Sequence, residues 1–157
     1  MTSITPFLWF DARAEEAAQF YVSLFPNSKI TQVARYGASG PGPAGSVMTV
    51  AFELDGQAFV ALNGGPAYSF TEAVSFVVNC ETQTEVDRLW DALTAEGGQP
   101  GPCGWLKDRF GLSWQIVPVA LPALVGDPDP QKAQRAMAAM LQMGKLDIAA
   151  LEAAHAG

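Results

Sequence analysis

The sequence predicts an α+β fold in which one strand-helix-strand-strand-strand unit occurs twice. The first observation behind this is the order of hydrophobic periods, which run strand, helix, about three strands, and then the same again. The second is an internal offset. Sliding one half on the other by 69 residues places Phe7 on Phe76, Phe20 on Leu89, Tyr21 on Trp90 and Leu24 on Leu93, with helix and strand phases expected to agree throughout. The third is size. With 157 residues, 49% hydrophobic and 16% charged, the chain can bury one full core and is too short for two ordinary domains. A half of about 60 residues buries its sheet face poorly by itself, so pairing two halves is physically sensible. The expected organisation is one domain over residues 1–120, with halves at about 1–66 and 72–118, and a C-terminal helical extension over 121–157.

Each element has a local reason. Ile4 to Phe10 is an apolar strand ended by Asp11, which is placed to cap a helix whose first turn carries Glu15 and Glu16. Ala17, Ala18, Tyr21, Leu24 and Phe25 recur at helical spacing, and Pro26-Asn27 closes the helix. Lys29 to Arg35 reads as a short edge strand. The Gly/Pro-rich segment Gly37 to Gly45 reads as a hairpin loop, with a lid over a cleft as the alternative. Ser46 to Leu54 and Gln57 to Asn63 flank the hairpin turn Asp55-Gly56. Val74 to Cys80 is the next strand, and Thr82 and Glu85 have the spacing of a capping box. Val86, Leu89, Trp90 and Leu93 then share a helix face that ends at Gly97-Gly98. Strands at Cys103 to Lys107 and Leu112 to Val117 bracket the turn Asp108-Arg109-Phe110-Gly111. Beyond the breaker Asp127-Pro128-Asp129-Pro130, Ala133, Met137, Met140 and Leu141 mark one helix, and Asp147 caps another carrying Ile148 and Leu151. These helices either pack back on the domain or offer a Met-rich face to a second subunit.

Charge excludes one partner class. The net charge is −7 and the nine Lys and Arg are scattered, so no basic stripe exists for nucleic acid. No apolar stretch approaches the length needed to span a bilayer, and the N-terminus lacks a signal-peptide pattern. The expectation is a cytoplasmic protein with free thiols at Cys80 and Cys103.

Several segments taken together are similar to a known family. Ile4-Thr5-Pro6-Phe7-Leu8-Trp9-Phe10-Asp11, followed by Ala14-Glu15-Glu16-Ala17 and Phe20-Tyr21, resembles the opening of a vicinal-oxygen-chelate half-domain. Ala61-Leu62-Asn63-Gly64-Gly65-Pro66, Cys103-Gly104-Trp105-Leu106-Lys107-Asp108 and Phe110-Gly111-Leu112-Ser113-Trp114-Gln115-Ile116 fit the same pattern. The chain resembles the glyoxalase/bleomycin-resistance/extradiol-dioxygenase superfamily, in the subfamily labelled 3-demethylubiquinone-9 3-methyltransferase. The likeness is read over the whole chain, including Lys145-Leu146-Asp147-Ile148. It implies two tandem βαβββ half-domains forming a curved mixed sheet and a cleft, usually in a homodimer.

In metal-dependent relatives the resemblance implies His, Gln and Glu ligands from the first and last strand of each half. Here those positions fall on Pro6, on Val60 or Asn63, on Ser75 and on Gln115. Such a set lacks the donors for a catalytic divalent ion, and the single histidine, His155, sits near the C-terminus where fraying is expected. No metal and no cofactor is expected. The methyltransferase label implies S-adenosylmethionine, yet no strand, Gly-rich turn and helix of a nucleotide-binding type is visible.

The candidate ligand-binding residues are Phe10, Asn63, Ser75, Cys103, Trp105 and Gln115. Parity counted from Pro6 puts Leu8 and Phe10 on the cleft face, with Phe7 and Trp9 under helices. Cys103 lies on a strand that lines the cleft in this fold, and as a nucleophile it would need a base or cation to lower its pKa. Trp105 shares its parity and suits stacking on a flat ligand. Gln115, Ser75, Asn63 and Ser113 are polar side chains on cleft-bordering strands, each needing a partner. The function expected is a metal-free glyoxalase-like protein that binds a small, partly apolar or aromatic molecule in the cleft between the halves. The alternative is an enzyme on the same fold, a metal-free lyase or isomerase using Cys103 or Gln115, or the labelled methyltransferase.

Overall fold

A computed structural model describes residues 2–157. The chain divides into two compact units, the first ending at Phe70 and the second spanning Thr71–Gly157. The first unit contains β1 (Phe7–Phe10), α1 (Ala14–Leu24), β2 (Lys29–Arg35), β3 (Val47–Leu54) and β4 (Gln57–Asn63). Its four strands form a mixed sheet in the order β1-β4-β3-β2, with β1 parallel to β4 and the other pairs antiparallel. The second unit contains β5 (Ser75–Cys80), α2 (Gln83–Thr94), β6 (Gln99–Pro100), β7 (Trp105–Lys107) and β8 (Ser113–Pro118). Its sheet repeats the first, in the order β5-β8-β7-β6 with β5 parallel to β8. The fold is thus the expected α+β duplication of a βαβββ unit, followed by α3 (Leu121–Val125), α4 (Pro130–Leu141) and α5 (Ile148–Ala156).

Each helix covers one face of its own sheet. In the first unit Ala17, Ala18 and Tyr21 of α1 are fully buried, and the Tyr21 ring lies 6.3 Å from Phe52. Phe52 is paired with Phe59 across β3 and β4, ring on ring at 5.4 Å. In the second unit Val86, Leu89, Trp90 and Leu93 of α2 are buried, as are Leu106, Trp114 and Ile116 of the sheet.

Most local signals act as expected. Asp55 and Gly56 both have positive φ, 47° and 82°, the pair that a tight hairpin turn requires. Thr82 caps α2 by accepting from the Glu85 amide, while the Glu85 carboxylate accepts from the Glu81 amide. Asp147 caps α5 as expected, and Asp129, expected only as part of the breaker, caps α4. The start of α1 differs. Its N-cap is Arg13, with no cap of its own, and Asn63 Oδ1 at the end of β4 accepts the Ala14 amide at 2.8 Å. β6 and α3, two and five residues long, are too short to leave a periodic signal in the sequence.

The C-terminal helices belong to the second compact unit. Backbone amides of Cys103 and Gly104 donate to the carbonyls of Met143 and Gly144, both at 2.8 Å. The Gln83 side chain grips the segment before α5 from both sides, donating to Leu146 O and accepting from Ile148 N. Leu146 and Leu151 are fully buried. His155 is not frayed: its Nε2 lies 2.8 Å from Asp127 Oδ2, and its carbonyl accepts from Arg135.

Candidate functional site

Register decides which side chains are left uncovered by the helices. In the first unit Leu8 and Phe10 are aligned with Ala61 and Asn63, and Ala61 with Val50, on the face that carries Phe52. Leu8 and Phe10 are each 5% exposed, whereas Phe7 is 61% exposed. The parity taken from Pro6 is therefore reversed in this unit: Phe7 and Trp9 occupy the open face with Val60 and Leu62, while Phe10 lies on the helix side, edge-on to Phe70 at 5.2 Å. The reason is that the 69-residue offset suits the helices, where Tyr21 and Trp90 are both buried, but not the strands. There the helix-facing Leu8 corresponds to Phe76 or Val78, an even distance away, and a slip of one residue moves every side chain to the other face.

The first unit holds a cavity of about 970 Å³ where the ends of β1 and β4 meet the start of α1 and the loop after β2. Trp9 forms one wall, its indole donating to Gly65 O at 2.9 Å, and Tyr36 another, its hydroxyl donating to Asn63 O at 2.5 Å. A side chain at Gly64 would enter the Trp9 ring, since a Cβ there would lie 2.3 Å from it. Asn63 borders this cavity, but its amide is committed: Oδ1 accepts from Ala14, and Nδ2 donates to Val47 O at 3.2 Å.

In the second unit the expected parity holds. Phe76, Leu106, Trp114 and Ile116 face the helix, and Ser75, Val77, Trp105, Lys107, Ser113 and Gln115 share the opposite face. Gln115 is aligned with Val77 on one side and Trp105 on the other, and its amide donates to the Ser75 hydroxyl at 2.9 Å. Three of the candidates, Ser75, Trp105 and Gln115, are thus assembled on one face. A cavity of about 400 Å³ opens beside them, bordered by Trp105, Lys107, Ser113, Glu72 and the Pro100-Gly101-Pro102 segment. Lys107 forms an ion pair with Glu72, and this contact holds the Glu72 carboxyl below its ordinary pKa. Ser113 is fully buried, with no hydrogen-bond partner for its hydroxyl among the described residues.

Cys103 is not on the strand. It sits in the turn before β7 with φ of 57°, half-buried, held by the bond from its amide to Met143. Cys80 is buried at the end of β5, and burial, helped by the Glu85 charge, pushes its thiol up to about 11. Glu72 is not legible in the sequence as a site residue, because nothing local links it to Lys107, 35 positions away. Lys107 could have been found from its parity with Trp105.

Among the described residues no group of three His, Cys, Asp or Glu comes together as a metal site. With the strand face corrected, Phe7 takes the place of Pro6 beside Val60 in the first unit, and the donor chemistry is no better. The glycine-rich segment also does not fit a nucleotide-type cofactor. It joins antiparallel strands β2 and β3, and the Tyr36 ring lies against Gly40 and Gly42.

A family described as 3-demethylubiquinone-9 3-methyltransferase matches residues 2–117. The chain belongs to this family. The match ends at β8, so the C-terminal helices lie outside it and the likeness does not extend over the whole chain as expected. Among solved structures, the family member is similar to the PhnB protein from Bacillus cereus. The two are 37% identical over 75% of this chain and 100% of that one, with a TM-score of 0.67. Protein PA1353 from Pseudomonas aeruginosa is 25% identical over 75% and 98% of the two chains, with a TM-score of 0.62. The fosfomycin resistance protein FosX from Listeria monocytogenes shares the fold alone, at 12% identity over 75% and 93% and a TM-score of 0.50. None of the curated proteins matches the chain. No helix among the described residues is long and apolar enough to cross a membrane.

Proposed function

We propose that this family member is a metal-independent binding protein, acting as a homodimer, that holds a small, partly aromatic or apolar molecule against the open face of its C-terminal sheet. The observation that carries this reading is the face itself. Trp105 and the 50%-exposed Val77 flank the Gln115–Ser75 pair beside a cavity of about 400 Å³, an apolar surface with a few convergent polar groups. Metal independence is supported by donor chemistry, since Phe7, Val60, Ser75 and Gln115 include no imidazole or carboxylate. Trp105 supplies a ring face for a flat ligand, and Ser75 and Gln115 orient its polar edge.

The test is native mass spectrometry of the full chain purified without added metal, followed by titration with aromatic probes. The expected result is a dimer without a divalent ion that takes up an aromatic probe, and Trp105→Ala weakens that uptake roughly 3- to 10-fold. A stoichiometric divalent ion in the purified protein overturns the metal-independent reading. Turnover of a substrate that is abolished by Cys103→Ser or Gln115→Ala, with folding intact, establishes the enzyme alternative instead.

A further inference from the structure

We propose that the C-terminal cavity is a carboxylate site whose own Glu72 stands in for the ligand, so that the molecule it takes is an aromatic or apolar monocarboxylate bridging Lys107 and Ser113. This rests on the binding reading above and narrows its ligand class.

Three features of the cavity point the same way. Among the described residues Lys107 and Glu72 are the only charged side chains bordering it, so the cavity becomes cationic once Glu72 leaves. Glu72 lies in the turn before β5 and its side chain is 60% exposed, against 41% for Lys107. An ion pair so wet is weak and exchanges readily for a competing carboxylate. Beside it, Ser113 is aligned with Lys107 across β7 and β8 and borders the same cavity, sealed from solvent and without a hydrogen-bond partner among the described residues. A buried hydroxyl is rarely left unanswered in a folded protein, and one beside an ammonium suits donation to an anionic oxygen. Trp105, two residues before Lys107 on the same face, borders the cavity with an apolar ring. A ligand with one carboxylate and one aromatic ring satisfies all three groups, and the volume of about 400 Å³ accommodates a molecule of that size.

The experiment is a titration of the full-length, isotope-labelled chain with phenylacetate and, separately, with its neutral amide. The readouts are the Trp105 indole proton and the amides of Lys107 and Ser113. Phenylacetate is expected to shift all three and to bind about tenfold more tightly than the amide. Glu72→Gln is expected to strengthen phenylacetate binding several-fold by removing the internal competitor. Lys107→Met should erase the preference for the acid, and Ser113→Ala should weaken the acid more than the amide. Equal binding of acid and amide at Trp105, unmoved by Lys107→Met, overturns the carboxylate assignment and leaves the binding reading standing. If neither probe perturbs Trp105 in the wild type or in Glu72→Gln, the assignment falls together with the placement of the ligand on this face.

Discussion

Asp108 is 2% exposed, and both of its carboxylate oxygens accept hydrogen bonds. Oδ1 takes the amides of Phe110 and Leu112, and Oδ2 takes the Trp114 indole at 2.9 Å. The residue therefore holds the turn and the strand that follows it in one register. Asp108→Ala leaves these donors unanswered and is expected to lower stability by about 2–3 kcal/mol, measured as a shift in the urea midpoint at constant slope. The sequence marks Asp108 as a turn residue, but its bond to Trp114 exists only after β8 folds back. The thiols separate in a similar way. Cys80 is buried with its pKa pushed up to about 11, whereas Cys103 is half-buried in a turn. Iodoacetamide at pH 8 is expected to modify Cys103 and spare Cys80 in the native protein, with peptide mapping as the check.

At the scale of elements, what was legible were the signals that act within a few residues. Thr82 and Asp147 cap the helices that begin just after them, and Asp55-Gly56 turns the hairpin on either side of it, while Asp129, expected only as part of a breaker, caps α4. The cap of α1 was not legible, because Asn63 reaches Ala14 from 49 positions away. Asn63→Ala is expected to cost about 1 kcal/mol, and faster hydrogen exchange at the Ala14 amide would trace the loss to the cap. The strand faces expected from the sequence hold in the second unit and are inverted in the first. Helical repetition tolerates an offset of 69 residues, but the two-residue period of a strand turns an odd offset into the wrong face. This is why Ser75, Trp105 and Gln115 were found together and Phe10 was misplaced. Gln83 joins the start of α2 to the segment before α5, 63 to 65 positions away, with two hydrogen bonds between its side chain and the backbone. Gln83→Ala is expected to cost roughly 1–3 kcal/mol and to speed exchange of the Ile148 amide. No change at Ile148 would show that the Lys145–Asp87 ion pair and the buried Leu146 and Leu151 hold the two elements without Gln83.

For the whole molecule three carboxylates contribute to the acid limit of stability. Glu72 is held down by the hydrogen bond from Lys107, Asp87 by those from Gln83 and Lys145, and Asp127 by the Asp129 amide and His155. Each has a lower pKa folded than unfolded, so its contribution is present above the ordinary carboxylate range and is lost as pH falls through the folded values. The melting temperature is expected to drop below about pH 4, and Asp87→Asn should flatten that limb of the curve. A further consequence lies in the strand order. In both units the first strand is hydrogen-bonded in parallel to the last, β1 to β4 and β5 to β8. As the chain leaves the ribosome, Phe7–Phe10 has no sheet partner until Gln57–Asn63 has emerged, and Ser75–Cys80 waits in the same way for Ser113–Pro118. The first strand of each repeat is thus the last to find its partner, so nascent chains stalled between β3 and β4 should leave Phe7–Phe10 open to protease until a few more residues emerge.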